Sequence, residues 1–168
     1  MRIILLQLLL TVGLILPSGV QAQHLVSTDY LGVFPKSIIS LLGLSNVKYD
    51  VDMYKVRYNT TDLNGQSVVA SGMIAVPVNP TCDSVPISLY AHGTILKRDN
   101  VPSTNNQESA LGKAIASKGY VVAMPDYLGL GDLSGLHPYQ HGLSEATASI
   151  DILRATKEFI NDSLSFDY

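Results

Sequence analysis

Two histidines four residues apart, His137 and His141, are the first candidates for chemistry in this sequence. Histidines at this spacing bind zinc when they share one face of a continuous helix and a glutamate follows the first of them. Here Pro138 occupies the position of that glutamate and would interrupt a helix. The pattern therefore favours a loop near the mouth of a pocket over a metal site. A single cysteine, Cys82, also excludes an internal disulfide framework and a cysteine-based zinc site.

A glycine-containing segment at 126–131, Asp-Tyr-Leu-Gly-Leu-Gly, is the second candidate because paired glycines occur in phosphate-binding loops. It has no third glycine at the dinucleotide-binding spacing, and no Gly-Lys-Ser/Thr follows it. The formal net charge of −3 comes from 11 basic and 14 acidic residues, without a long basic run. These observations exclude a nucleotide-binding loop of either kind and argue against a nucleic-acid partner.

The length and composition predict one globular domain behind an export signal. The chain has 168 residues, of which 46% are hydrophobic and 15% are charged. Arg2 precedes an apolar stretch at 3–16, Pro17 breaks it, and small residues lead up to Ala22. This order is typical of a signal peptide cleaved after Ala22, and the stretch is shorter than the ~20 residues that a membrane span needs. We therefore expect a secreted or periplasmic protein with no stable membrane span after cleavage.

Hydrophobic periodicity in the remaining residues predicts a mixed α/β fold. A β-hairpin turns at 62–65, and a continuous apolar run before Pro125 indicates a strand buried on both faces, as in parallel sheets. A change of parity near Met53 and Tyr54 indicates a bulge or strong twist. Asp151 and Arg154 are interpreted as a surface ion pair. The predicted elements are helices at 35–44, 106–118 and 144–161, and strands at 47–59, 66–76, 86–91 and 120–124. The apolar stripes expected on the three helices are, in order, Ile38, Ile39, Leu41 and Leu42; Ala110, Leu111, Ala114 and Ile115; and Ala146, Ile150, Leu153 and Ile160.

Three segments in order resemble the α/β-hydrolase superfamily, specifically its secreted lipase- and esterase-like members. They are 89–94 (Leu-Tyr-Ala-His-Gly-Thr), 124–132 (Met-Pro-Asp-Tyr-Leu-Gly-Leu-Gly-Asp) and 137–141 (His-Pro-Tyr-Gln-His), which leads into the last helix. The end of the hairpin at 70–77 fits the same pattern. The resemblance extends from about residue 45 to residue 160. It implies the N-terminal half of that fold, in which a β-hairpin precedes β-α-β-α of a mostly parallel sheet.

The resemblance also implies a role for His92, Gly93 and Thr94. In the family, the residue after His-Gly contributes its backbone N–H to the oxyanion hole, so Thr94 is the expected donor. Fixed donors of this kind contribute on the order of 3–4 kcal/mol to lowering the barrier. Gly93 would allow a tight turn, and the Thr94 hydroxyl could be a second donor. Asp126 is expected to bond backbone N–H groups within its own loop.

The nucleophile of the family is absent from the sequence. No Gly-x-Ser-x-Gly motif occurs in residues 1–168, so no member of the catalytic triad can be assigned. The segment 142–146, Gly-Leu-Ser-Glu-Ala, comes near the motif but follows no buried strand. Ser144 is therefore interpreted as the N-cap of the last helix, and Glu145 as a favourable charge in its first turn.

The prediction is a signal peptide at 1–22 and a partial α/β-hydrolase domain at 23–168 that stops before the nucleophile strand. The complete protein would be a serine hydrolase that cleaves small-molecule carboxylic esters and needs no metal or other cofactor. This chain alone is expected to be inactive. It is also expected to aggregate, because the strand at 86–91 would lack its neighbour. A secreted serine peptidase of the same fold, or a non-catalytic binding protein that retains it, remains an alternative.

Overall fold

The computed structural model of the chain describes residues 23–164, so the predicted signal peptide at 1–22 lies outside the described residues. Within this range the chain forms a mixed sheet and three α-helices. Two short 3₁₀ segments, Pro102–Thr104 and Gln107–Ser109, precede the second helix. In chain order the elements are β1 (Leu25–Phe34), α1 (Lys36–Leu41), β2 (Val51–Thr61), β3 (Ser67–Pro77), β4 (Ile87–Leu89), α2 (Ala110–Ala116), β5 (Val121–Pro125) and α3 (Gly142–Ser163).

The five strands form one open sheet in the order β1-β2-β3-β5-β4. β1, β2 and β3 are antiparallel neighbours, β5 pairs antiparallel with β3, and β4 pairs parallel with β5. The predicted hairpin is confirmed: its turn is closed by the Asp62 carboxylate, which accepts hydrogen bonds from the N–H groups of Asn64 and Gln66. The α/β fold class is likewise confirmed. β4 forms one edge of the sheet, the position where the missing neighbour was expected.

β1 was not predicted because its sequence lacks a clear alternation. Most of its residues are exposed or half-buried, and Asp29 and Gly32 interrupt the apolar pattern. The strand lies at the other edge of the sheet and is held by backbone pairing to β2. A strand held mainly by backbone hydrogen bonds need not show an alternating hydrophobic pattern, so it is difficult to predict from sequence.

The parity change in β2 has a different cause from the predicted bulge. β2 pairs with β3 in unbroken register from Val51 to Thr61. Met53 packs in the cluster under α1 and α2, whereas Val56 and Tyr58 pack in the cluster under α3 on the opposite face. β2 is therefore covered on different faces along its length. The register shift beside Met53 and Tyr54 lies in the neighbouring strand β1, between Tyr30 and Gly32.

The helices occupy the predicted regions, and their buried faces agree with the predicted stripes only in part. α2 buries Ala114 of its predicted stripe together with Gly112 and Ala116, whereas Leu111 of that stripe is 51% exposed. α3 packs against the sheet through a row of small and large apolar residues: Ala148, Ile152, Ala155 and Phe159. Ile150, predicted to be buried, is instead 50% exposed.

α1 also differs from its predicted pattern, since of its apolar residues Ile39 alone is buried. Ile38 and Leu41 are exposed, as is the following Leu42. A six-residue helix has room for little more than one inward-facing position, which accounts for the difference.

The interpretation of Asp151 and Arg154 as a surface ion pair was wrong for the acid. The Asp151 side chain is 7% exposed and accepts a hydrogen bond of 2.8 Å from Arg154 Nη1, while Arg154 remains exposed. His24 Nδ1 lies 3.6 Å from the same carboxylate oxygen. The pair therefore compensates a buried charge. None of the helices between residues 23 and 164 has the length and apolar character needed to cross a membrane.

Candidate active site

The parallel pair β4 and β5 brings two loops to the same edge of the sheet. Leu89 lies opposite Ala123, so the segments that leave the two strands emerge side by side. In open α/β sheets ligands bind at the carboxyl ends of the strands. A cleft of about 180 Å³ lies here, and its walls carry mainly polar and aromatic side chains. The lining residues are His92, Gly93, Thr94, Ile95, Tyr127, His137, Tyr139, Gln140 and Glu145.

His92 connects the ends of the two strands and is buried. Its Nδ1 lies 2.8 Å from the carbonyl oxygen of Gly93, and its Nε2 lies 3.3 Å from the carbonyl oxygen of Asp126. Its ring also packs against the ring of Tyr127, with centroids 4.7 Å apart. These contacts make His92 a residue that positions the loop.

Thr94 is one of the residues that line the cleft. Among residues 23–164 its N–H has no hydrogen-bond acceptor, and the residue is exposed. Its side-chain oxygen lies 3.0 Å from Tyr139 Oη, so the hydroxyl is already occupied by a neighbour. The free group at this position is the amide.

The expected steric reason for Gly93 was wrong. A Cβ added to Gly93 would have no heavy atom within 4 Å, and the residue does not adopt a positive φ. Its backbone could therefore be formed by other residues.

Tyr127 is a site residue that the sequence analysis missed. It adopts a φ of 70°, a left-handed conformation that is rare for a bulky side chain and that is often found at functional sites. Its ring is buried beside the cleft, and burial raises the pKa of its phenol, an effect that a hydrogen bond with Ser149 partly opposes. No pattern in the sequence indicates this conformation, because a bulky residue with a positive φ carries no local sequence signal.

A buried hydrogen-bond network supports the loop that contains Tyr127. Asp126 Oδ2 accepts a bond of 2.6 Å from the Ser71 hydroxyl, and Oδ1 accepts one of 3.0 Å from the Ser103 N–H. Ser71 Oγ in turn accepts from the N–H of Asp132 at 3.0 Å. Burial raises the pKa of Asp126, while the bonds from Ser103 and Ser71 act in the opposite direction.

The prediction that Asp126 bonds N–H groups within its own loop was therefore wrong. The N–H that reaches its carboxylate comes from Ser103 in another loop, and Ser71 links it to the N–H of Asp132. Gly131, at a φ of 58°, passes so close to this network that a Cβ there would collide with the Asp126 carboxylate and the Ser71 hydroxyl. The glycine is required by this close approach as well as by its backbone conformation.

Two basic side chains of β2 form salt bridges with the outer part of the same loop. The Asp132 carboxylate accepts hydrogen bonds from Lys55 Nζ at 2.6 Å and from Arg57 Nε at 2.8 Å. Burial alone would raise the pKa of Asp132, but Lys55 and Arg57 lower it overall. The loop is thus anchored at two points, one inside the core and one at the surface.

The last helix is capped by His141, so the interpretation of Ser144 as the N-cap was wrong. α3 begins at Gly142, and His141 Nδ1 accepts a bond from the Ser144 N–H at 3.3 Å. The Ser144 hydroxyl donates to the carbonyl oxygen of His141 at 3.0 Å. Ser144 still serves the helix terminus, but from its first turn. Glu145, also in that turn, lines the cleft.

The two histidines considered for metal binding have different roles in the structure. His137 lines the cleft, and its Nδ1 lies 2.8 Å from the carbonyl oxygen of Leu128. His141 is used in the helix cap. Across residues 23–164 no three His, Cys, Asp or Glu side chains are grouped closely enough to hold a metal ion.

Solved structures similar to this chain are hydrolases. A presumed hydrolase from Legionella pneumophila has 36% identity and a TM-score of 0.79 over 87% of this chain and 42% of its own. The rice cell wall degrading esterase LipA from Xanthomonas oryzae has 31% identity and a TM-score of 0.73 over 82% of this chain and 38% of its own. Candida antarctica lipase A, at 18% identity and a TM-score of 0.51, covers 82% of this chain and 32% of its own, and shows likeness of fold alone.

The chain spans less than half the length of each of these three proteins. No protein-family model matches the sequence, and no curated protein does either.

Proposed function

We propose that this chain, which has an α/β-hydrolase fold, is the N-terminal part of an exported serine hydrolase that acts on carboxylic esters. Its contribution to the reaction is the oxyanion donor at Thr94. The nucleophile, the acid and the catalytic histidine come from a segment beyond residue 168. The proposed substrate class is small-molecule esters, since the similar protein LipA is an esterase.

The observation that carries the proposal is the unpartnered N–H of Thr94, a residue that lines the cleft at the carboxyl ends of β4 and β5. In ester cleavage a serine attacks the carbonyl carbon, and the carbonyl oxygen becomes negative in the tetrahedral intermediate. A backbone N–H held in place before the reaction stabilises that oxygen without reorganisation. His92 and the Asp126 network fix the two loops around this amide.

The lengths of the similar structures support the placement of the triad outside this chain. The chain covers 42% of the Legionella protein and 38% of LipA. β4 also has one unpaired edge among the described strands, where a further strand can be added. The absence of Gly-x-Ser-x-Gly from residues 1–168 agrees with this arrangement.

Replacement of Thr94 in the complete protein tests the proposed donor. Thr94→Pro removes the N–H, whereas Thr94→Ala keeps it and loses only the hydroxyl that contacts Tyr139. With p-nitrophenyl butyrate, kcat should fall by about 10²–10³-fold in Thr94→Pro, in line with the removal of one oxyanion donor. Thr94→Ala should stay within a few-fold of the wild type.

Equal kcat values for the two variants, both with the circular dichroism spectrum of the wild type, would contradict the assignment of Thr94. Export is tested separately by the intact mass of the protein recovered outside the cytoplasm, which should begin at Gln23. A mass that retains Met1 would contradict cleavage after Ala22.

A further inference from the structure

A groove between α1 and α2 contains a buried lysine with no anionic partner. Lys113 lies on α2 and is 5% exposed. Its Nζ lies 4.8 Å from the centre of the Phe34 ring. Among residues 23–164 this ammonium forms no salt bridge and no side-chain hydrogen bond. The aromatic face attracts its positive charge but supplies no oxygen acceptor for its three N–H donors.

The remaining walls of this groove are apolar. The groove has a volume of about 260 Å³, and Phe34, Ile39, Leu42, Leu44 and Leu111 line it together with Lys113. Leu42 is 68% exposed and Leu111 is 51% exposed, so apolar side chains also form its rim. The groove shares no lining residue with the cleft around Thr94.

We propose that this groove binds a free medium-chain fatty carboxylate, with the carboxylate on Lys113 and the aliphatic tail along the leucines. The positive charge of Lys113 favours a ligand with one anionic group, and the apolar walls favour an aliphatic chain as the rest of that ligand. Phosphate-binding sites usually contain arginine or several hydrogen-bond donors, whereas the only charged residue lining this groove in the described part of the chain is one lysine. A carboxylate therefore fits the groove better than a phosphate. The volume of about 260 Å³ lies just below the ~300–1,000 Å³ typical of small-molecule sites, which suits a slender ligand with one chain.

Burial lowers the pKa of Lys113, as expected for an ammonium without a counter-charge. A bound carboxylate would stabilise the charged form. The site is independent of the proposed hydrolase reaction, because it uses other residues and a different part of the fold.

Calorimetric titration of the complete protein with sodium decanoate tests the proposal. Decanoate should bind the wild type at least tenfold more tightly than decan-1-ol, which has the same tail without the charge. Lys113→Met, which keeps the length of the stem, should weaken decanoate binding at least tenfold and leave decan-1-ol unchanged. Lys118→Met, the same change at an exposed position just beyond α2, is the matched control and should bind as the wild type does.

Leu111→Glu provides a second variant, because it places a repelling carboxylate on the rim without altering Lys113. It should also weaken decanoate binding at least tenfold. A decanoate affinity that is the same in the wild type and in Lys113→Met would overturn the proposal, as would no binding to the wild type. So would a photoreactive fatty acid that labels residues 92–94 and leaves 36–44 and 110–116 unlabelled.

Discussion

At the scale of single residues, the site depends on buried side chains that do not line the cleft. Asp126 is fully buried and its carboxylate is held by Ser71 and Ser103, which places Tyr127 and the following loop beside the cleft. Asp126 and the segment 92–94 are recognisable from their order along the chain. Ser71 is not recognisable as the partner of Asp126, because the two residues are 55 positions apart and nothing in the sequence indicates their contact.

Removal of the Ser71 hydroxyl should destabilise the protein through Asp126. Ser71→Ala leaves the buried carboxylate with one donor fewer, which costs about 1–3 kcal/mol of unfolding free energy at neutral pH. Ser67→Ala, at an exposed position on the same strand, should cost less than about 0.5 kcal/mol. Urea unfolding of both variants measures the difference.

The same substitution has a predictable dependence on pH. Burial already raises the pKa of Asp126, so the folded state favours its protonated form, and ionisation lowers stability as pH rises above the unfolded value of ~3.9. The loss of Ser71 raises that pKa further. The destabilisation caused by Ser71→Ala should therefore be larger at pH 7 than at pH 4. The reverse order would show that the hydroxyl does not act on the ionised carboxylate.

At the scale of elements, the location of helices and strands followed from periodicity, whereas their buried faces often did not. The run before Pro125 was correctly predicted as a strand buried on both faces, since β5 lies between β3 and β4 and all its residues are buried. For α3, the predicted stripe agrees with the packed face at Leu153 and Ile160 but not at Ile150, which is exposed. Small residues such as Ala148 and Ala155 form that face, and their low hydrophobicity gave the weaker signal.

Close packing between α3 and the sheet depends on Gly72. A Cβ at this position would lie 2.5 Å from Ile152 Cδ1 and 2.6 Å from the carbonyl oxygen of Met124. Because one of these neighbours is backbone in the centre of the sheet, Gly72→Ala should lower the unfolding free energy by about 1–3 kcal/mol or more. Gly142→Ala, where a Cβ meets nothing within 4 Å, is the matched control and should be neutral or slightly stabilising. Equal unfolding midpoints for the two variants would refute this account of the packing.

At the scale of the whole molecule, the described residues form an open sheet with unpartnered apolar surface. β4 has an unpaired edge, and α3 turns Leu143 and Ile150 outward at 75% and 50% exposure. The hydrophobic periodicity of α3 predicted that Ile150 is buried. This signal is consistent with the proposal that further elements of the complete protein cover this face.

Substitution of Ile150 should have different effects in residues 23–168 alone and in the complete protein. In residues 23–168 alone, Ile150→Lys should reduce self-association, measured by sedimentation, without lowering the thermal midpoint. In the complete protein the same change should cost about 2 kcal/mol or more, because it would place a charge in a covered interface. Asn161→Lys, at an exposed polar position of the same helix, should have little effect in either setting. A tolerated Ile150→Lys in the complete protein would exclude a partner for this face.

The central claim is that this chain shapes the oxyanion side of a serine hydrolase whose nucleophile lies elsewhere in the complete protein. Labelling of that protein with a fluorophosphonate, followed by peptide mapping, tests it most directly. We predict one adduct, on a serine within a Gly-x-Ser-x-Gly segment after residue 168. An adduct on Ser144, or ester hydrolysis by a protein that takes up no label, would contradict the claim.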